Sequence, residues 1–201
     1  MLAKPAITAI AIHDLLAQRW SPRAFDATQP ISRAQVLALL EAGRWAPSCF
    51  GDEPWRFVVC DRARDPESWQ RAFDCLDEGN QSWVKNTTLL IVAGVDGHFR
   101  HNGKANRWAQ YDSGAASMSI CLQAVALGLA AHQMGGFNAS KLGVALGAPD
   151  QITLISVIAV GHQAVADVLD DEKVRETEVA PRRRQALGAV FFEGAWNKAF
   201  V

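Results

Sequence analysis

Three runs of apolar residues predict the strands of a sheet. Residues 89–93 and 152–160 lack the polar alternation of a strand with one solvent-facing side, which is typical of strands that are buried on both faces. Residues 55–60 are rich in β-branched and aromatic side chains, as strands usually are. We therefore expect a sheet in the centre of the molecule.

Five other segments place apolar residues at helical spacing. In one of them, Ser32 and Gln35 form a capping box, and the helix ends before Pro47 because the residue preceding a proline is pushed out of the α region. Further helices are predicted over residues 7–18, 66–76, 107–129 and from the cap Asn138 to about Gly147. Helices interleaved with few strands, without a strict βαβ rhythm, indicate an α+β fold.

Composition limits the possible functions. The 201 residues are 49% hydrophobic and 20% charged, with a formal charge of −1, which predicts one domain over residues 1–201 and argues against binding to nucleic acid or to an acidic membrane. The apolar runs are shorter than the ~20 residues of a membrane span, and the N-terminus lacks a signal-peptide pattern. The four cysteines lack metal-ligand spacing. We predict a cytoplasmic protein without a metal site.

Three segments carry chemistry suited to an anion or a planar ligand. Arg19 and Arg23 flank the hydroxyl of Ser21 where a helix ends, an arrangement that can hold a phosphate group. Residues 46–55 form a linker bracketed by prolines, with small side chains near aromatic ones, and residues 182–184 are three arginines. Taken singly, these segments are more often an exposed helix end, a turn and a solvated run of charge.

Their order along the chain resembles the nitroreductase family, the FMN-dependent NAD(P)H oxidoreductases. The matching residues, in order, are Arg19-x-Ser21-x-Arg23, Trp45-Ala46-Pro47-Ser48, Pro54-Trp55-Arg56-Phe57, Asn80-Gln81-Ser82-Trp83, Asp112-x-Gly114-Ala115, Met134-Gly135-Gly136-Phe137, Gly161-His162, Pro181-Arg182-Arg183-Arg184 and Phe192-Glu193-Gly194-x-Trp196. The series spans nearly the whole chain, so the resemblance rests on the order and not on a single motif.

The resemblance implies a fold and an assembly. It implies an α+β, nitroreductase-like fold with a central, mainly antiparallel sheet flanked by helices, in an intertwined homodimer that exchanges C-terminal segments. The C-terminal tail, residues 188–201, contains Phe191, Phe192, Trp196 and Phe200. We expect this tail to pack on the partner subunit.

The resemblance also implies a site for tightly bound FMN. Arg19, Ser21 and Arg23, with Trp20 beside them, are expected to hold the phosphate and the ribityl chain. The remaining residues of the expected site are Arg182 and Arg184 at the phosphate, Pro47, Ser48, Cys49 and Gly51 from the partner subunit along the flavin ring, Asn80 at its pyrimidine edge, and Gln133, Met134, Gly135 and Gly136 beside its central ring. A backbone N–H at Gly135 is expected to donate to flavin N5.

The implied reaction passes a hydride from NADH or NADPH through flavin N5 to an electron-poor acceptor such as a nitroaromatic, a quinone or an enone. Both substrates would use one flavin face, which predicts ping-pong kinetics, and no side chain is assigned a catalytic role. Alternatives are a flavin reductase or oxidase of the same family, and a non-catalytic protein that stores or senses FMN.

Two positions depart from the family pattern, and several others have two interpretations. The family usually has Asn where this chain has Gly51, and Gln where it has Glu53, so these departures bear on the flavin potential and on substrate range.

Four further residues are candidates either for pocket walls or for core packing, namely Phe50, Trp83, Trp108 and His132.

Overall fold

The computed structural model describes residues 2–200 and has a four-stranded sheet at its centre. The strands are β1 (Trp55–Asp61), β2 (Leu89–Asp96), β3 (Ala130–Met134) and β4 (Ile152–Gly161), in the spatial order β1-β2-β4-β3. All three pairings are antiparallel. The predicted α+β fold with a mainly antiparallel sheet is therefore confirmed.

Helices cover both faces of this sheet. They are α1 (Asp14–Gln18), α2 (Arg33–Arg44), α3 (Pro66–Phe73), α4 (Glu78–Val84), α5 (Ala109–Ala126), α6 (Ala139–Leu146) and α7 (Glu172–Val179). Alternate residues of β2 point to opposite faces. Ile91 lies in a core cluster with residues of α2 and α5, whereas Val92 lies in a second cluster with residues of α3, α4 and α6.

The burial predicted for the strands is confirmed for β2 and only half correct for β4. Residues 89–95 are all buried, because β2 lies between two strands and under helices on both faces. In β4, residues 157–161 are buried but residues 152–156 are partly or fully exposed. The reason is that β3 pairs only with residues 157–161, so the first half of β4 has no neighbour on that side.

The helix ends that depend on capping side chains are as predicted. Ser32 accepts a hydrogen bond from the N–H of Gln35, and the Gln35 side chain accepts one from the N–H of Ser32. Asn138 caps α6, which ends at Gly147 in the left-handed region at φ 66°. These ends could be predicted because each depends on a local side-chain contact.

Two predicted helices have the wrong extent, and three elements of the structure were not predicted. Residues 7–12 are not helical, and α1 begins only after His13, whose ring nitrogen accepts from the N–H of Leu15. Ile7 is 88% exposed, so the chain itself offers no surface that would favour a helix there. The central helix ends at Ala126 because Gly128 adopts φ 70°. The strand β3 and the helices α4 and α7 were not predicted.

The C-terminal tail, residues 188–200 of the described chain, is mostly exposed. Phe192 and Ala199 form an isolated bridge, but Phe191 and Phe200 remain at least half exposed and Trp196 is 85% exposed. Over residues 2–200, no helix is both long and apolar enough to cross a membrane.

Candidate functional site

The segment of residues 19–23 follows the end of α1, and its two arginines lie on either side of Ser21 in the sequence. Arg19 Nη1 donates to Ser21 Oγ at 3.3 Å. Trp20 lies beside them with its ring facing Lys4, whose Nζ is 4.4 Å from the ring centroid. The contact between Arg19 and Ser21 fits the expected phosphate site, which stays a prediction.

The C-terminal arginines converge on the same place. Arg182 Nη1 donates to the carbonyl oxygens of Lys4 and Ala17, both at 2.8 Å, which fixes it beside the end of α1. Burial, together with the positive charges of Arg19 and Arg184, lowers the pKa of Arg182. Several cations are thus held close together, an arrangement that favours a bound anion.

Within residues 2–200, no carboxylate forms a salt bridge with the guanidinium groups of these arginines. The salt bridges there do not include Arg19, Arg23, Arg182 or Arg184. A phosphate site requires guanidinium groups that no carboxylate occupies.

His132, on β3, joins the 19–23 segment to the sheet. Its Nδ1 lies 2.9 Å from the carbonyl oxygen of Pro22 and must be the donor, because a carbonyl only accepts. The ring packs on Trp83 with centroids 4.6 Å apart. Burial lowers the pKa of His132 to about 4, and Arg23 and Arg19 act in the same direction. The imidazole is therefore neutral near pH 7.

The next segment along the chain, residues 133–136, consists of the last two residues of β3 and the two residues after it. We call it the 133–136 turn. Gln133 Nε2 donates to Cys121 Sγ at 3.4 Å. Burial raises the pKa of the Cys121 thiol, and the charge of Arg19 acts against this increase. The side chain of Met134 is buried in the core, so only its backbone is available to a ligand. Gly135 is exposed, and an added Cβ would meet no atom within 4 Å.

Asn80 closes the other side of this turn. Its Nδ2 donates to the carbonyl oxygen of Gly136 at 2.9 Å, and the N–H of Asp77 donates to the same oxygen at 3.1 Å. A Cβ on Gly136 would lie 2.7 Å from Asn80 Nδ2, so a side chain at this position would displace the Asn80 amide.

The loop of residues 47–53 is anchored elsewhere. The N–H of Cys49 donates to the buried carboxylate of Asp112 on α5 at 2.9 Å, and Ser48 Oγ accepts from the N–H of Glu53 at 3.0 Å. Phe50, Gly51 and Glu53 have positive φ angles of 56°, 63° and 50°. Pro47 is exposed at the start of this loop.

The structure thus divides the predicted site residues into two groups. Arg19, Ser21, Arg23, Arg182 and Arg184 lie together, and the 133–136 turn with Asn80 is linked to them through His132 and Cys121. Pro47, Ser48, Cys49 and Gly51 form the second group. In the described part of the chain, no hydrogen bond joins the 47–53 loop to the 19–23 segment.

The four aromatic candidates also divide. Trp83 and His132 pack in or against the core, and Phe50 and Trp108 are exposed. Two further exposed aromatics are Trp45, the C-cap of α2, and Tyr111, whose ring centroid lies 6.3 Å from that of Trp108.

Sequence reasoning missed two residues at the arginine cluster. Lys4 contacts the ring of Trp20, and its Nζ donates to the backbone oxygen of Glu178 at 2.6 Å. The Glu178 carboxylate accepts from the backbone N–H groups of Arg23 and Ala24. No sequence signal distinguishes Glu178 from the neighbouring acidic residues of α7, because only the tertiary fold brings α7 to residue 23.

Comparisons with known proteins identify the family to which this chain belongs. The model of the nitroreductase family matches residues 16–162. A crystal structure of an oxidoreductase containing FMN is 35% identical to this chain, covers 96% of each chain and superposes with a TM-score of 0.89.

Two curated relatives match over shorter lengths. An uncharacterised 15.4 kDa protein of Mycolicibacterium smegmatis is 34% identical over 61% of this chain and 80% of its own length. A protein of Archaeoglobus fulgidus that carries the name NADH dehydrogenase/NAD(P)H nitroreductase is 28% identical over 66% of this chain and 74% of its own. Because the family model covers well over half of the sequence, this chain belongs to the nitroreductase family.

Proposed function

We propose that this protein is an FMN-dependent oxidoreductase that passes a hydride from NADH or NADPH to an electron-poor acceptor such as a nitroaromatic, a quinone or an enone. The observation that carries the proposal is the group of Arg19, Arg182 and Arg184, which are held together without a carboxylate partner in the described chain. A phosphate dianion would neutralise this charge. The FMN in the 35% identical oxidoreductase supports the choice of cofactor.

The residues present fit FMN. Arg19, Ser21, Arg23, Arg182 and Arg184 would hold its phosphate. The backbone of the 133–136 turn borders open space at Gly135, which suits the approach of a planar ring, and Asn80 supports that turn through the carbonyl of Gly136. When bound, FMN supplies the hydride chemistry at N5, and the protein supplies binding and orientation.

The protein's own side chains hold the site and move no proton in this proposal. His132 is neutral and donates from Nδ1 to Pro22, and it therefore fixes the backbone next to Arg23. Gln133 is held by Cys121, which keeps the start of the turn in place. We accordingly assign a positioning role to His132 and a catalytic role to no side chain.

We further propose an intertwined homodimer, in which residues 1–201 form one domain and the C-terminal tail packs on the partner subunit. Pro47, Ser48, Cys49 and Gly51 would then complete the partner's cofactor site. The support is the exposed apolar surface: Phe50 in the 47–53 loop is 82% exposed, Tyr111 beside Trp108 is 76% exposed, and Trp196 in the tail is 85% exposed. Apolar patches of this kind mark association surfaces.

Steady-state oxidation of NADH and NADPH tests the proposed activity. With a quinone or nitroaromatic acceptor, and without added flavin, we expect turnover and parallel double-reciprocal lines, since donor and acceptor use the site in turn. Turnover that requires added free flavin would indicate a flavin reductase instead. Turnover with oxygen alone, unaffected by either acceptor, would indicate an oxidase.

Absence of turnover has two further interpretations that binding measurements separate. A protein that retains FMN but oxidises neither nucleotide would be a storage or sensor protein. A protein that binds no FMN would contradict the cofactor assignment and the function that depends on it.

A further inference from the structure

Glu178 places a buried carboxylate directly behind the 19–23 segment. The residue is 1% exposed near the end of α7. Its Oε1 accepts from the N–H groups of Arg23 and Ala24, each at 3.1 Å, and its Oε2 accepts from the N–H of Arg23 at 2.9 Å. Both carboxylate oxygens are therefore used to hold two consecutive backbone amides.

The same stretch of backbone is held from a second direction. His132 Nδ1 donates to the carbonyl oxygen of Pro22, one residue before the amides that Glu178 accepts. Phe25, which follows Ala24, is buried, and its ring stacks on that of Trp83 with centroids 6.1 Å apart. The backbone from Pro22 to Phe25 therefore has little freedom, and this fixes the point from which the Arg23 side chain starts.

The negative charge of Glu178 bears on how this residue would affect phosphate binding. Within residues 2–200 it takes part in no salt bridge. Burial lowers the pKa of Lys4, and the charge of Glu178 acts against that shift. A carboxylate close to an anion site repels the anion, so on charge alone Glu178 weakens phosphate binding. The geometry of the contact compensates for this repulsion. The carboxylate of Glu178 accepts from two consecutive backbone N–H groups, whereas a carboxamide has a single acceptor oxygen.

We propose that Glu178 is a positioning residue for the phosphate of the flavin nucleotide, acting through the backbone of Arg23 and Ala24. This inference rests on the proposed FMN-dependent function and extends it to a residue outside the expected site. It predicts that the geometric contribution of Glu178 to phosphate binding exceeds the repulsion from its charge.

The experiment compares FMN with riboflavin, which lacks the phosphate. Full-length apoprotein of the wild type and of Glu178→Gln is titrated with each flavin, and quenching of flavin fluorescence gives Kd. We expect Glu178→Gln to weaken FMN binding at least about tenfold, since a charge-assisted contact is lost, and to leave riboflavin binding within about twofold. A change confined to FMN separates positioning from general loss of structure, which would weaken both flavins.

Glu176→Gln is the matched control, because Glu176 lies on the same helix, is exposed, and loses the same charge. We expect it to bind FMN as tightly as the wild type or slightly more tightly. Glu178→Asp keeps the charge and both oxygens but shortens the reach by one carbon–carbon bond. It is expected to show the same FMN-specific loss, and it carries the test if Glu178→Gln does not fold.

The outcomes separate this inference from the function on which it rests. If the wild type prefers FMN to riboflavin and the Glu178 variants keep that preference or increase it, the positioning role is wrong and the proposed function stands. Equal weakening of FMN and riboflavin would likewise overturn the role at the phosphate. If the wild type binds neither flavin, the proposed function fails, and the role of Glu178 fails with it.

Discussion

The two groups of site residues are constructed differently. The arginine cluster is held within one chain by buried polar contacts: Glu178 to the amides of Arg23 and Ala24, His132 to Pro22, and Arg182 to the carbonyl of Ala17. The 47–53 loop is anchored by the contact of Cys49 with Asp112 and by buried Asp52, which accepts from the N–H of Arg100, and it exposes Phe50. The first group lies within one chain, and the second presents an exposed aromatic side chain to its surroundings.

This difference separates cofactor retention from assembly. A charged site must be positioned before the ligand arrives, because guanidinium groups that reorganise lose part of the binding free energy. An apolar surface gains its free energy when a second surface covers it. We therefore expect changes in the arginine cluster to affect FMN affinity, and changes in the exposed aromatic regions to affect association.

The largest expected effect is on assembly. Removal of the residues after Gly188 eliminates Phe191, Trp196 and Phe200, which are all at least half exposed. We expect the truncated protein to sediment as a monomer and the full chain as a dimer. Lys198→Ala, which changes only an exposed charge of the tail, should remain dimeric. A truncated protein that is still dimeric would contradict the exchange of the tail.

The next effect is on cofactor affinity. Arg19→Ala and Arg184→Ala should each weaken FMN binding by about 1.5–3 kcal/mol, because each removes a charge-assisted contact to the phosphate. Fluorescence titration of the apoprotein measures this change. The control is Arg33→Ala, at the exposed start of α2. Unchanged FMN affinity in both variants would exclude the phosphate assignment.

An effect of similar size is expected on stability at low pH. Because the pKa of His132 falls from 6.5 to about 4 in the folded protein, its contribution is fully present above pH 6.5 and decreases by roughly 1.4 kcal/mol per pH unit below it. Between pH 7 and pH 5 the wild type should lose about 2 kcal/mol from this residue.

His132→Phe removes this titration while it preserves an aromatic ring against Trp83. Urea unfolding at pH 7 and at pH 5 should therefore show a smaller loss in the variant than in the wild type, because the other titrating groups are common to both. Identical losses in the two proteins would contradict the buried, neutral histidine.

The smallest effect concerns the loop. Gly51 has φ 63° and open space around an added Cβ, so the cost of a side chain there is conformational and not steric contact with neighbours. Gly51→Ala should lower the free energy of unfolding by about 1–2 kcal/mol, and Gly51→Asn by less, because Asn tolerates the left-handed region better. Thermal unfolding compares the two variants. Equal stability of both with the wild type would indicate a loop that is free to rearrange.

Local signals explain which parts of the fold could be predicted. The buried run of β2 and the capping box at Ser32 depend on residues that are adjacent in sequence, and both are confirmed. The helix predicted over residues 7–18 forms only at Asp14–Gln18, because apolar spacing alone does not show whether a surface is available to cover Ile7. The strand β3 was missed because it is five residues long and directly follows a helix.

The candidate site shows the same limit. The arginines at positions 19, 23, 182 and 184 could be selected because the order of motifs resembles a family. Glu178 could not, since its role depends on α7 packing against a residue 155 positions away in the sequence. A contact between distant segments leaves no periodicity or spacing in a single sequence.

The most direct test of the account is the visible absorbance spectrum of the purified full chain, repeated without oxygen after addition of NADH and then NADPH. The arginine cluster and the family membership predict a flavin spectrum that bleaches with at least one nucleotide, and the nucleotide that bleaches it is the donor. A flavin spectrum that persists with both would contradict the proposed activity. A colourless protein that also fails to bind added FMN would contradict the central claim that this cluster is a flavin phosphate site.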